Sequence, residues 1–189
     1  MKITDLLKKE GVLLNQSPAD KNAAIDILVG LHDKVGNLND KAGYKKAIEA
    51  REAQGSTAVG MGIAVPHAKT DAAKQPGLVA MTVPGGVDYG CIDGTDSNLF
   101  FMIAAPAGAA DTHLEVLANL MTMLMDPEFA GAAAAAAAAA GAAASSLPKR
   151  SASLSSIRPK NSSTVLAASS DCEKSASMSI VMRLARTSR

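Results

Sequence analysis

The chain has 189 residues, a formal net charge of +1 and 48% apolar residues, enough for one domain of ordinary size with a real core or a domain plus a tail. Over the first 130 positions Lys and Arg are mixed with Asp and Glu rather than clustered, and aromatic residues make up 3% of the chain with no Trp, which argues against a nucleic-acid partner and against a stacking platform for bases or sugar rings. The two cysteines, Cys91 and Cys172, lie far apart without neighbouring ligand-type residues, so neither a zinc site nor a disulfide framework is indicated. The N-terminus contains acidic residues and lacks a long apolar stretch, and no strongly apolar run of membrane-spanning length follows, so a cytoplasmic location is expected.

In chain order, Ile3, Leu6 and Leu7 suggest a short amphipathic turn, followed by a short strand at Val12–Leu14. Ser17-Pro18 reads as a helix start, and Ile25, Leu28, Val29 and His32 recur at helical spacing until Gly36-Asn37. Asn39 or Asp40 is expected to cap a second helix through Tyr44, Ala47, Ile48 and Arg51, stopped by Gly55. Ser56–His67, rich in small and β-branched residues, predicts a strand, a glycine turn and a short strand into Pro66. Leu78–Val83 predicts a strand ending at a Pro84-Gly85-Gly86 turn, and the nearly unbroken apolar run 98–105 a central strand buried on both faces. Thr112 with Glu115 fits a capping box, opening a helix whose apolar stripe is Leu114, Leu117, Ala118, Met121, Leu124 and Met125, with a break or kink at Asp126-Pro127. Helices interleaved with short strands imply an α/β fold, helices packed on a mixed sheet. The domain is expected over 2–144; its alanine-rich end includes nine consecutive alanines at 132–140, and 145–189 has the composition of a linker or disordered tail.

Three histidines are present: His32, His67 and His113. His32 sits late in an amphipathic helix and is best read as structural or merely exposed. His67 follows Gly60-x-Gly62-x-Ala64-x-Pro66; the proline stiffens the backbone just before it, and the glycines permit close approach of another molecule. His113 falls in the first turn of a predicted helix, where open N–H groups favour an anion. A neutral imidazole can attack a phosphoryl group directly, and such transfer needs positioning and charge stabilisation above all. No Walker-type loop, no GxSxG elbow and no carboxylate cluster is present, which disfavours direct use of ATP, a serine hydrolase and a catalytic metal. No cofactor is expected. An ordinary turn histidine at 67 and an ordinary helix residue at 113 remain open on spacing alone.

The stretch Arg51-Glu52-x-x-x-Ser56-Thr57-x-x-Gly60-x-Gly62-Ile63-Ala64-Val65-Pro66-His67 closely resembles the signature of the fructose/mannitol-type IIA family of the bacterial sugar phosphotransferase system. Gly86-Val87-Asp88, Asp93-Gly94, the strand 99–105 with Pro106, and His113-Leu114-x-x-Leu117-Ala118 match the same family in order and spacing, so the resemblance covers roughly 2–130. It implies a three-layer α/β sandwich, a mixed β-sheet flanked by helices. It also implies a relay: a phosphorylated histidine phosphocarrier protein gives its phosphoryl group to His67, and a sugar-specific IIB domain receives it next. A membrane IIC domain couples that step to uptake. Carried over by motif, His113 is the second active-site histidine and Arg51 the supporting basic residue. Pro66-His67-Ala68-Lys69, Pro76-Gly77-Leu78 and Gly86-Val87-Asp88-Tyr89 resemble the fructose branch most. Nitrogen-regulatory IIA proteins share the histidine motif, so a regulatory role is the alternative.

Overall fold

The computed structural model describes residues 3–126, with the side chains of Ile3, Thr4 and 110–113 outside that description. The expectations for the alanine block, the last helix of the domain and the tail fall outside it. Among the described residues four helices and six strands follow in the order α1 (Ile3–Leu6), β1 (Leu7–Leu13), α2 (Lys21–Lys34), α3 (Lys41–Glu52), β2 (Ala58–Gly60), β3 (Ile63–Ala64), β4 (His67–Lys69), β5 (Gly77–Val87), β6 (Ser97–Ala105) and α4 (Ala110–Leu124). One mixed sheet runs β1-β5-β6-β3-β2, with β4 also pairing to β6. β1 is parallel to β5, β5 antiparallel to β6, and both β3 and β4 are parallel to β6. β3 and β4 are thus two pieces of one edge along β6, interrupted at Val65-Pro66.

Alternation along β6 builds two cores. Leu99, Phe101 and Ile103 join Leu78 and Ala80 of β5 beneath Val116, Leu120, Met123 and Leu124 of α4 and Leu6 of α1. Phe100, Met102 and Ala104 join Val79, Met81 and Val83 against Ala24, Ile25, Leu28 and Val29 of α2 and Tyr44 and Ile48 of α3. With both faces covered, a central strand must be apolar at every position, as 99–105 is. The expected three-layer sandwich is the architecture observed.

Several local expectations are corrected. α2 starts at Lys21, not at Ser17-Pro18, because the Asp20 carboxylate accepts the Ala23 N–H at 2.7 Å and takes the capping role. The expected Asp40 cap of α3 is present, accepting from the Ala42 N–H at 3.0 Å. β5 continues through Pro84-Gly85-Gly86 to Val87; the turn-like residues make a bulge, with the register to β6 shifting between Thr82 and Val87. α4 opens at Ala110 after the cap residue Ala109, which makes no side-chain cap bond, so Thr112 is the third helical residue and not a cap. A tight turn closed by Ala109 N–H to Pro106 C=O delivers the chain into the helix early. The buried stripe of α4 is Val116, Leu120, Met123 and Leu124, while Leu114 (63%) and Met125 (67%) are exposed.

Candidate active site

His67 is the first residue of β4 and is paired in register with Ile103. Registered residues of a parallel pair share a face. His67 therefore lies on the α4 side with Ile103, and Ala68 lies in the opposite core among the α2–α3 residues. Pro66 sits in the break between β3 and β4. Its fixed φ sets the chain direction, and its carbonyl accepts the Ile103 N–H at 3.0 Å, tying the break to the central strand.

The His67 ring folds back so that Nδ1 lies 2.8 Å from the Val65 carbonyl oxygen. A carbonyl can only accept, so Nδ1 carries the proton and Nε2 carries the lone pair in the neutral ring. The imidazole is half-buried. One nitrogen is therefore used to fix the ring, and the other is the chemically basic one.

The C-terminal end of β6, a four-residue turn and the N-terminus of α4 follow one another on the same face as His67. His113 is the fourth residue of α4, at the close of its first turn, rather than next to the expected Thr112 cap. The topology thus brings the His67 edge and the opening of α4 to the carboxyl end of the central strand, the usual place for ligands in open α/β sheets. Arg51 is the last but one residue of α3, and its Nη1 donates to the Gly55 carbonyl at 3.0 Å.

Gly60 and Gly62 serve the protein itself. Their φ values are +95° and +75°, and a Cβ on Gly62 would come within 2.8 Å of the Asn98 side-chain oxygen. Between them Met61, itself at φ 53° and largely exposed, has its N–H held by the Asp93 carboxylate at 3.1 Å. Bonds from Cys91, Thr95 and the Met61 N–H keep that exposed carboxyl well below its ordinary pKa range.

Four polar residues given no individual role from sequence, Glu52, Thr57, Lys21 and Tyr89, are linked on the α2–α3 side of the sheet. Glu52 is buried; its carboxylate accepts from the Thr57 hydroxyl and, at 3.3 Å, from the Thr57 N–H. The Lys21 ammonium lies 2.9 Å from the same carboxylate and 4.4 Å above the Tyr89 ring. Burial, then the Glu52 charge, pushes the Tyr89 phenol well above its ordinary range. One signal was available: Tyr44, Ile48 and Glu52 are spaced by four and share the buried face of α3. His32 is fully buried and structural. Its Nε2–H donates to the Met102 carbonyl at 3.0 Å, and its Nδ1 accepts from the Asn37 amide at 3.1 Å. Desolvation lowers its pKa to about 4. Among the described residues no group of three or more His, Cys, Asp or Glu is placed to hold a metal ion, and no helix is long and apolar enough to cross a membrane.

A mixed sheet with helices on both faces and a histidine held at a strand break define a IIA-type α/β domain. Residues 5–141 match the family described as phosphoenolpyruvate-dependent sugar phosphotransferase system, EIIA 2, and the chain belongs to that family. It is 48% identical over 128 residues to the fructose-specific EIIABC component of Bacillus subtilis, covering 68% of this chain but 20% of that protein. To the fructose-specific EIIA component of Haloferax volcanii it is 35% identical over 123 residues, covering 65% of this chain and 80% of that protein. The nitrogen regulatory protein IIA-Ntr of Neisseria meningitidis superimposes with a TM-score of 0.65 at 25% identity, over 70% of this chain and 90% of that one. The mannitol enzyme IIA of Escherichia coli, solved in complex with phosphorylated enzyme IIB, gives a TM-score of 0.60 at 28% identity, over 68% and 90%.

Proposed function

We propose that this chain is the phosphoryl-carrier IIA component of a sugar phosphotransferase system, with fructose as the sugar, and that His67 is the residue that is phosphorylated. The reading rests above all on one observation: His67 stands at a strand break with Nδ1 engaged by the Val65 carbonyl, which makes Nε2 the nucleophile. The phosphorylated histidine phosphocarrier protein is the donor. The Nε2 lone pair of His67 attacks phosphorus, the donor's P–N bond breaks, and the donor imidazole leaves with the electron pair. The next transfer repeats this with His67 as the leaving group and a nucleophile of a sugar-specific IIB domain as acceptor; a membrane IIC domain takes part only through IIB. Nδ1 keeps its proton throughout, donating it in a hydrogen bond to the Val65 carbonyl, so the ring departs as a neutral tautomer rather than an anion.

His113 and the open N–H groups of the first turn of α4 stabilise the phosphoryl oxygens, and Arg51 is the supporting cation. We assign the carrier unit to residues 2–144, in keeping with a family match over 5–141, and residues 145–189 to a tail. The chain acts in the cytoplasm, where a carrier protein and a IIB domain meet it. Fructose is favoured by the 48% identity to the Bacillus fructose component.

The second reading is a regulatory IIA protein whose phosphorylation state controls partner proteins, favoured by the similarity to the Neisseria nitrogen regulatory protein. A reconstituted relay separates the two: phosphoenolpyruvate, enzyme I, the histidine phosphocarrier protein and this chain, with label located by peptide mapping. Acid-labile label on the His67 peptide that a fructose IIB discharges is the expected result. Label that no sugar IIB discharges favours the regulatory reading, and absence of label refutes both. His67→Ala abolishes labelling, whereas His113→Ala retains labelling and slows onward transfer.

A further inference from the structure

We propose that Glu52 is a positioning residue for His67, acting through Thr57 and the Val65 peptide; the catalytic consequence rests on the phosphoryl-carrier reading above. The connection is continuous. The buried Glu52 carboxylate holds Thr57 by both its hydroxyl and its N–H. The Thr57 carbonyl accepts the Val65 N–H at 3.0 Å. The Val65 carbonyl then accepts from His67 Nδ1 at 2.8 Å. The route crosses one residue at Thr57 and one at Val65, so the residue whose carbonyl selects the His67 tautomer is tied at its own N–H to the segment that the Glu52 carboxylate holds. Lys21, the first residue of α2, compensates the charge at 2.9 Å.

A carboxylate with 5% of its side-chain surface exposed is costly to keep ionised unless its oxygens are engaged. Here they are engaged by an ammonium and by the two polar groups of a single residue, Thr57, three positions after the end of the following turn. An apolar residue at position 52 would continue the Tyr44–Ile48 stripe at lower desolvation cost, but it would leave the β2 approach without an anchor. The strand break at Val65-Pro66 offers few ladder bonds of its own. β3 has two residues and β4 three, so the tie from the Val65 N–H to the Thr57 carbonyl is what anchors Val65 on the side away from β6.

The test uses the full chain with 15N-labelled histidine at pH 8, where ordinary imidazoles are neutral. Long-range 1H–15N spectra distinguish Nδ1–H from Nε2–H rings. The wild type contains its own reference, because His32 is held as the Nε2–H tautomer and His67 as the opposite one. In Thr57→Val, which keeps the shape and removes the hydroxyl, and in Glu52→Gln, His67 is expected to lose its single Nδ1–H signature while His32 keeps its own. The rate of labelling by the phosphorylated carrier protein should fall about 10- to 100-fold, the range for a misoriented reacting group. Thr57→Ser, which restores the hydroxyl, should recover both readouts.

An unchanged His67 tautomer and rate in Thr57→Val would overturn the proposal. So would loss of the His32 and His67 signatures together in Thr57→Val and Thr57→Ser alike, which would make Thr57 a general fold determinant. Should Glu52→Gln fail to fold, the Thr57 pair decides alone. If the wild type is never labelled, the carrier reading fails, yet the tautomer comparison still decides the positioning claim.

Discussion

Acidification should destabilise this domain through His32. His32 is buried on the sheet with both ring nitrogens engaged, and its pKa falls from 6.5 to about 4 on folding, chiefly through desolvation. The folded state resists the proton that the unfolded chain accepts. Stability is therefore complete above about pH 6.5, declines as pH falls toward 4, and levels off below that as far as His32 is concerned. At pH 4.5 the unfolded ring is almost fully protonated and the folded ring mostly is not, a loss of about 2.5 kcal/mol relative to pH 7.5. For a urea slope of about 1.5–2 kcal/mol per molar, the midpoint should fall by roughly 1.3–1.7 M. Urea titrations at half-unit pH steps, beside an NMR titration of His32, measure both sides of the linkage. His32→Gln, which cannot take up a proton, should flatten the curve between pH 6.5 and 4.5 even if it lowers stability overall. A His32 that titrates near 6.5 in the folded protein, or equal pH slopes for wild type and His32→Gln, would refute the reasoning.

Two further substitutions probe the frame around the site. Gly62→Ala places a Cβ 2.8 Å from the Asn98 side chain at a φ of +75°, so it should cost about 1–3 kcal/mol by denaturation and slow labelling of His67 by displacing the hairpin before it. Asp20→Ala removes the carboxylate that accepts the Ala23 N–H and should cost about 1 kcal/mol, with labelling of the folded protein unchanged because the cap lies at the start of α2.

What the sequence determined by itself was local. The apolar run 98–105 meant a doubly buried strand, and Ile25, Leu28, Val29 and His32 meant one buried helix face; both are seen, because side-chain periods of two and 3.6 are properties of the chain itself. The motif ending Pro66-His67 placed the chain in its family without any coordinates. Tertiary structure decided the rest. α4 carries two apolar stripes of similar quality. The sheet selected Val116, Leu120 and Met123 with Leu124, leaving Leu114 and Met125 outside, because burial depends on which face meets β6. His32 and Met102 are 70 residues apart, so no spacing rule could pair them. The same holds for the route from Glu52 through Thr57 and Val65 to His67: its hydrogen bonds exist only once α3, β2 and the β3–β4 break are folded against one another.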